Sequence, residues 1–332
     1  MKKILVVNFG GIGDEILFLP AIDALKETYP DAKITLALEP RSKSVNLLTD
    51  HINDVITVKI KGKRWFFDLL KLILRAYNGN FDMVIGSGGN KFISIIMFLT
   101  GIKKRYGYDT GRLSRLLLTK AVKLNKNQYA AEMYYDLVRD LINNNDNKKI
   151  IPSLNVFEVM KEPNSVLIHP GVSKVSIKKK IQKTLTAEKW AELIDLLSWH
   201  GKKVILIGGP DDKELITKIK RTVHTNNYKD LTQEQMNLYD LAVLISSAEK
   251  FVCSDSAPMH IAVGVKTKTY AIFGPTDYKK LIPDDELITP VLAKDSCPNK
   301  PCLWSKRKTT CETCECLDIN MQQLALNIIK ND

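Results

Sequence analysis

Apolar runs of strand length alternate along this chain with apolar stripes of helical spacing. Lys3–Phe9 is an almost unbroken apolar run, the pattern of a strand buried on both faces. Asp14–Tyr29 reads as a helix, with Pro20 predicted to kink it. Strands are predicted at Lys33–Glu39, Val55–Ile60 and Met83–Gly86, and helices at Trp65–Tyr77 and Phe92–Leu99. Tyr129–Asn143 reads as an amphipathic helix, and Asn143–Lys149 is a polar break. A second alternation begins at strand Ser165–His169. It continues through helix Ala187–Trp199, strand Lys203–Ile207, helices Asp212–Val223 and Leu238–Ser247, strands Phe251–Ser254 and Thr269–Phe273, and a final helix, Leu317–Lys330. Two βαβ series predict an α/β protein of two Rossmann-like domains, each a parallel sheet flanked by helices. The expected boundaries are 1–150 and 151–316, with 317–332 a C-terminal helix able to pack back on the first domain.

Composition changes this picture little. With 45% hydrophobic and 26% charged residues over 332 positions, the chain is globular and long enough for two cores. No apolar run approaches the ~18 residues that cross a bilayer; Ile93–Leu99 is the best and is short. The first twenty residues mimic a signal peptide, but glycines interrupt the apolar core and Asp14-Glu15 fall inside it. A buried first strand is the better reading, and a cytoplasmic location is expected. Charge matters more. The net charge is +12 with a pI near 9.2, and the cations cluster at Lys59–Arg64, Lys103–Arg105, Arg112–Lys120, Lys174–Lys183 and Lys306–Lys308. Any one cluster reads first as a solvated surface. Together they point to a polyanion, such as a phosphorylated glycolipid or an anionic membrane face. Nucleic acid is not expected, because neither aromatic interleaving nor a recognisable binding motif is present.

The candidate chemistry lies at strand ends. Phe251–Ser254 runs into Asp255-Ser256-Ala257-Pro258-Met259-His260, and the next strand ends in Gly274-Pro275-Thr276. Ligands of open α/β sheets bind beyond such carboxyl ends, and helix N-termini attract phosphate, so this pair reads as a cradle for a nucleotide diphosphate. The first loop, Gly10-Gly11-Ile12-Gly13-Asp14, fails the dinucleotide fingerprint at Ile16, and no P-loop exists. Its glycines let a substrate approach the backbone. Asp14 is either a general base or a helix cap, and spacing does not separate the two. Cys297, Cys302, Cys311 and Cys314 approach metal-ligand spacing. Reduced structural thiols are the favoured reading and zinc the lesser one. Cys253 reads as a buried strand residue. No Asp-x-Asp pair stands at a plausible diphosphate site, so neither a divalent ion nor another cofactor is expected.

These residues carry a resemblance. Gly10–Ala21 with Tyr29–Thr35, then His169-Pro170-Gly171, Lys183 before Ala187–Leu193, Gly208-Gly209-Pro210, Asp255–Ala262 and Phe273–Thr276 resemble, in order, the motifs of glycosyltransferase family 9, the bacterial heptosyltransferase type. The resemblance spans nearly the whole chain. It implies a GT-B fold, in which two Rossmann-like domains face across a cleft. It also implies inverting transfer of a heptose or related sugar from ADP-heptose to a lipopolysaccharide core acceptor, with peripheral contact at the cytoplasmic face of the inner membrane. By resemblance Asp14 is the base and Gly10, Gly11 and Gly13 shape the acceptor loop. Lys183 neutralises the departing diphosphate, although Thr184-Leu185-Thr186 replaces the family's usual Arg-Trp-Pro and Lys178, Lys179 and Lys180 stand close by. Asp212 and Asp255 become ribose or sugar contacts, and Ser256–His260 with Gly274–Thr276 line the donor, His260 reading chiefly as a packed helix residue. The alternatives are a GT-B enzyme for another sugar nucleotide, an epimerase, or a non-catalytic polyanion-binding protein.

Overall fold

The computed structural model describes residues 1–142, 149–157, 159–293, 297, 300–303, 311 and 315–330. The chain divides into two units, Met1–Asn155 and Val156–Asp332. The division lies past 150 because the Asn155 N–H donates to the Leu48 carbonyl at 2.9 Å and its side-chain amide donates to Asp50.

The first unit runs β1 (Lys3–Val7), α1 (Ile12–Thr28), β2 (Lys33–Leu38), β3 (Asp54–Thr57), α2 (Trp65–Asn78), β4 (Met83–Gly86), α3 (Lys91–Leu99), β5 (Lys104–Tyr108), α4 (Arg112–Leu117), β6 (Lys120–Val122) and α5 (Ala130–Asp136). Its strands form one parallel sheet in the order β3-β2-β1-β4-β5-β6. Val7 sits between Ala37 and Gly86 in register. One sheet face, with Leu5, Val7, Ala37, Ile56 and Val84, packs against Leu72 and Ala76 of α2 and Ile93 and Met97 of α3. Helix α1 connects strands in the opposite direction along the sheet, so right-handed crossover places it on the other face. There it packs with α5.

The second unit runs β7 (Glu162–His169), α6 (Lys174–Lys178), α7 (Ala187–Trp199), β8 (Lys203–Leu206), α8 (Lys213–Thr222), β9 (Tyr228–Asp230), α9 (Leu238–Ser247), β10 (Ala248–Ser254), α10 (Ala257–Gly264), β11 (Lys268–Ile272), β12 (Ile288–Val291) and α11 (Met321–Lys330). Its parallel sheet has the order β12-β11-β10-β7-β8-β9. Read from β9, this is the first sheet's order again. Trp190 is fully buried at the centre of a cluster that includes Ile168, Leu206, Tyr270 and Ile272. The apolar face of α11, with Met321, Leu324 and Ile328, joins the same cluster beside α7. The buried Lys250 ammonium donates to the Ile328 carbonyl at 2.7 Å, giving the end of α11 a cation where its dipole favours one.

Several expectations shift. The helix expected over Tyr129–Asn143 ends at Asp136 and gives way to a single 3-10 turn, Arg139–Leu141. Strands β5, β6, β9 and β12 were not predicted. β6, β9 and β12 lie at sheet edges, and the chain alternates there too briefly to give a period. Among the described residues no helix is long and apolar enough to cross a membrane.

Candidate active site

In the second sheet the strand order reverses between β7 and β10, and their carboxyl ends open the crevice where α/β sheets bind ligands. Asp255 follows β10, and its carboxylate lies 2.8 Å from the Lys183 ammonium, the two side chains being 4% and 16% exposed. Thr276, after β11, donates its hydroxyl to the same Asp255 oxygen at 2.6 Å. A carboxylate this buried needs such partners. Lys178, Lys179 and Lys180 are exposed on the outside, so the structure brings Lys183, and not its neighbours, to Asp255. Thr184 fixes this loop. Its hydroxyl donates to the Pro170 carbonyl at 2.6 Å and accepts from the Trp190 indole N–H at 2.9 Å. The Ser254 hydroxyl donates to the same carbonyl at 2.9 Å. Thr184 thus ties the end of β7 to the start of α7, and Ser254 ties β10 to the same carbonyl, roles their sequence positions did not reveal.

The helix start beside this pair is narrower than the sequence suggests. Pro258 has no N–H, and that of Met259 is used by the Ser256 carbonyl at 3.1 Å. Ser256 and Ala257 are half-buried, whereas Pro258, Met259 and His260 are buried. The half-buried donors of this turn are therefore at Ser256 and Ala257. Gly274, Pro275 and Thr276 are buried too, with the N–H groups of Cys302 and Leu303 donating to the Pro275 carbonyl at 3.1 and 3.2 Å.

Asp212 packs between the loops that follow β7 and β8. It is 6% exposed, accepts the Gly209 N–H at 2.8 Å and lies 3.5 Å from the His169 imidazole. A Cβ on Gly171 would stand 2.1 Å from its carboxyl group. Asp212 therefore ties the loops after β7 and β8 together, one of its oxygens meeting both Gly209 and His169. Burial holds the His169 imidazole below its ordinary pKa, with the Asp212 charge opposing.

The first unit offers a second chemical centre where its strand order reverses, between β1 and β4. Gly11 starts α1 and donates its N–H to one Asp14 oxygen at 2.7 Å. The other oxygen faces the Tyr134 hydroxyl, which donates at 3.3 Å. Asp14 remains exposed, so it caps the helix and still presents a carboxylate. Gly10 permits this, because a Cβ there would lie 2.3 Å from that of Asp14. Tyr134, on α5, packs its ring 5.2 Å from that of Phe18. Burial, aided by the Asp14 charge, holds its phenol pKa well above the ordinary value, so it stays a donor. Behind them Glu15 is buried and accepts from the Asn8 amide at 3.1 Å, and Asn8 accepts from the Ser87 hydroxyl at 2.6 Å. Neither Tyr134 nor the Asn8–Ser87 link shows in the sequence, because each depends on strands or helices meeting.

Cys253 is buried in β10, and burial raises its thiol pKa. Cys297 and Cys302 are half-buried and Cys311 exposed, while Cys314 lies outside the described residues. Among those residues no group of three or more metal-ligating side chains comes together.

Comparison with known proteins agrees with this architecture. A heptosyltransferase of Escherichia coli, "lipopolysaccharide heptosyltransferase 3", is 26% identical over 295 residues, covering 80% of this chain and 82% of its own. The solved E. coli ADP-heptose lps heptosyltransferase II superposes with a TM-score of 0.77 at 20% identity, over 99% of this chain and 98% of that one. A second E. coli heptosyltransferase, determined with ADP-2-deoxy-2-fluoro heptose, gives 0.75 at 18% identity, over 99% and 100%. These likenesses establish the GT-B fold. The model of glycosyltransferase family 9 (heptosyltransferase) matches residues 69–311, and with both sheets and their strand-end loops in place the chain belongs to that family of glycosyltransferases.

Proposed function

We propose that this enzyme transfers a heptose, with inversion, from ADP-heptose to a lipopolysaccharide core acceptor, working peripherally at the cytoplasmic face of the inner membrane. The observation that carries the reading is the Lys183–Asp255–Thr276 group at the β7/β10 crevice, at 2.8 and 2.6 Å, beside the half-buried helix start at Ser256 and Ala257. The names of the relatives supply the substrates, as does the donor analogue bound by the second E. coli enzyme.

Asp14 takes the proton of the acceptor hydroxyl, whose oxygen attacks the anomeric carbon as the bond to the diphosphate breaks. One carboxylate suffices for inversion, since the leaving group departs on the opposite side. The Tyr134 hydroxyl and Gly11 N–H orient that carboxylate. Negative charge grows on the departing phosphate, where Lys183 and the Ser256 and Ala257 amides offset it, a stabilisation larger in the transition state than before it. Asp255 holds Lys183 in place until the donor arrives. Asp14 and Lys183 are thus the proposed catalytic pair.

Thermal shift with ADP, UDP, GDP and CMP tests the donor. Binding at 100 times the dissociation constant adds ~2.7 kcal/mol, and ADP should give the largest rise. A larger rise with UDP or GDP would move the enzyme to another sugar nucleotide. Transfer should survive EDTA; loss restored by Mg²⁺ or Mn²⁺ would overturn the ion-free chemistry.

A further inference from the structure

We propose that the layer formed by α2, α3 and α4 is a docking face for an anionic phospholipid bilayer, with its aromatic side chains entering the headgroup layer. Helix α2 has two apolar stripes. Leu72 and Ala76 face the sheet. Phe66, Leu70, Leu74 and Tyr77 recur at helical spacing on the opposite, exposed side, joined by Phe67, while Trp65 is exposed at the first residue of the helix. Phe66 and Phe67 are 58% and 67% exposed, although side chains of this size are rarely left in water as a group. The neighbouring helices continue the pattern. Helix α3 packs against both α2 and α4 and exposes Phe92, Phe98 and Leu99, while Leu116 of α4 is 79% exposed.

The charge around this layer identifies its occupant. Residues 59–117 contain twelve lysines and arginines against three aspartates and no glutamate. All three aspartates are already paired or bonded, Asp109 with Arg115, Asp68 with the Lys59 N–H and Asp82 with the Lys3 N–H. A second copy of the chain would bring a cationic rim against the same cationic rim, which costs free energy. An anionic bilayer satisfies the cations and takes up the aromatics together, the combination that holds interfacial helices on membranes. Lys61, Lys63 and Arg64 directly precede Trp65 and are exposed, so charge and aromatic anchor meet at one end of α2. Helix α2, at 14 residues, is far too short to span, so it lies on the surface.

This inference rests on the peripheral placement proposed above, yet it is tested without sugar chemistry, so either can fail alone. Vesicles of phosphatidylglycerol and phosphatidylcholine, free of donor and acceptor, are sedimented with the protein at low salt. Binding should follow the phosphatidylglycerol content. Neutralising Lys61, Lys63 and Arg64 to Gln should weaken it about a hundredfold, each surface cation contributing about fivefold. Phe66→Ser with Phe67→Ser should weaken it more than tenfold with melting unchanged; Leu74→Ser with Leu116→Ser serves if that variant fails to fold. Brominated phosphatidylglycerol should quench Trp65, and Trp65→Phe should remove the quenching. Absence of vesicle binding overturns the proposal. So does binding that ignores the aromatic substitutions, quenching that persists in Trp65→Phe, or a dimer in sedimentation velocity that those substitutions disperse.

Discussion

Asp14 has two oxygens with different occupations, one on the Gly11 N–H and one toward Tyr134. If it is the base, Asp14→Asn keeps the cap and lowers turnover by roughly 10²–10⁴ with nucleotide affinity nearly intact; near-normal turnover would leave it a cap alone. Lys183 carries both structure and chemistry. Lys183→Met leaves the Asp255 carboxylate buried with only Thr276 and should cost about 3 kcal/mol in urea melts. Adding Asp255→Asn should return much of that stability but no turnover. If the double variant regains activity, Lys183 is structural. Glu15 supplies a pH signature. Burial first, and the Asp14 charge second, hold its carboxyl well above the ordinary 4.5, so the folded chain keeps a proton that the unfolded chain releases. The stability this confers is complete below 4.5 and is lost as pH rises through the folded value. Glu15→Gln, neutral at every pH, should match the parent's melting temperature near pH 4.5 and exceed it at pH 9. A constant difference between those limits would refute a protonated Glu15.

At the scale of elements, the loops after β7 and β8 behave as one part, because Asp212 occupies the space that a side chain on Gly171 would need. Gly171→Ala should destabilise the second unit by about 2 kcal/mol. Pairing it with Asp212→Ala should recover part of the loss, and simple additivity in chemical denaturation would show the two loops to be independent. This coupling also shows how far the sequence can be read. Long apolar strands such as β1, β7 and β10 and the helix α7 were legible because burial on both faces, or one apolar stripe, leaves a clear period. Lys104–Tyr108 was not, because Lys104 and Arg105 break the apolar run and the strand shows its place only once β4 lies beside it. The glycine loop and the Asp255 turn were legible as strand-end turns into helices, since small residues right after an apolar strand mark such a turn. The inward turn of Asp212, the Thr184 tie and the Tyr134 contact were not. Each is a long-range hydrogen bond whose partners are fixed by packing, which leaves no local trace.

At the scale of the whole molecule, the charge is uneven. Residues 59–117 of the first unit carry a net nine of the chain's net twelve positive charges, while Lys183 is enclosed with its counter-charge, Asp255. Exposed charges are screened beyond a Debye length of ~8 Å at physiological salt. Raising salt should therefore increase the acceptor KM more than the donor KM. Equal responses would mean that the basic surface takes no part in acceptor capture. The repeated strand order has a consequence for synthesis. In each half the founding strand, β1 or β7, ends up inside its sheet and waits for two partners, the second of them three strands later. The first half has every partner it needs once Asn155 is made. It can close while the second is still on the ribosome, so the nascent chain has at most one open sheet to protect from aggregation. Residues 1–155 expressed alone should then fold, and a pulse-labelled chain released early should resist protease as far as that point.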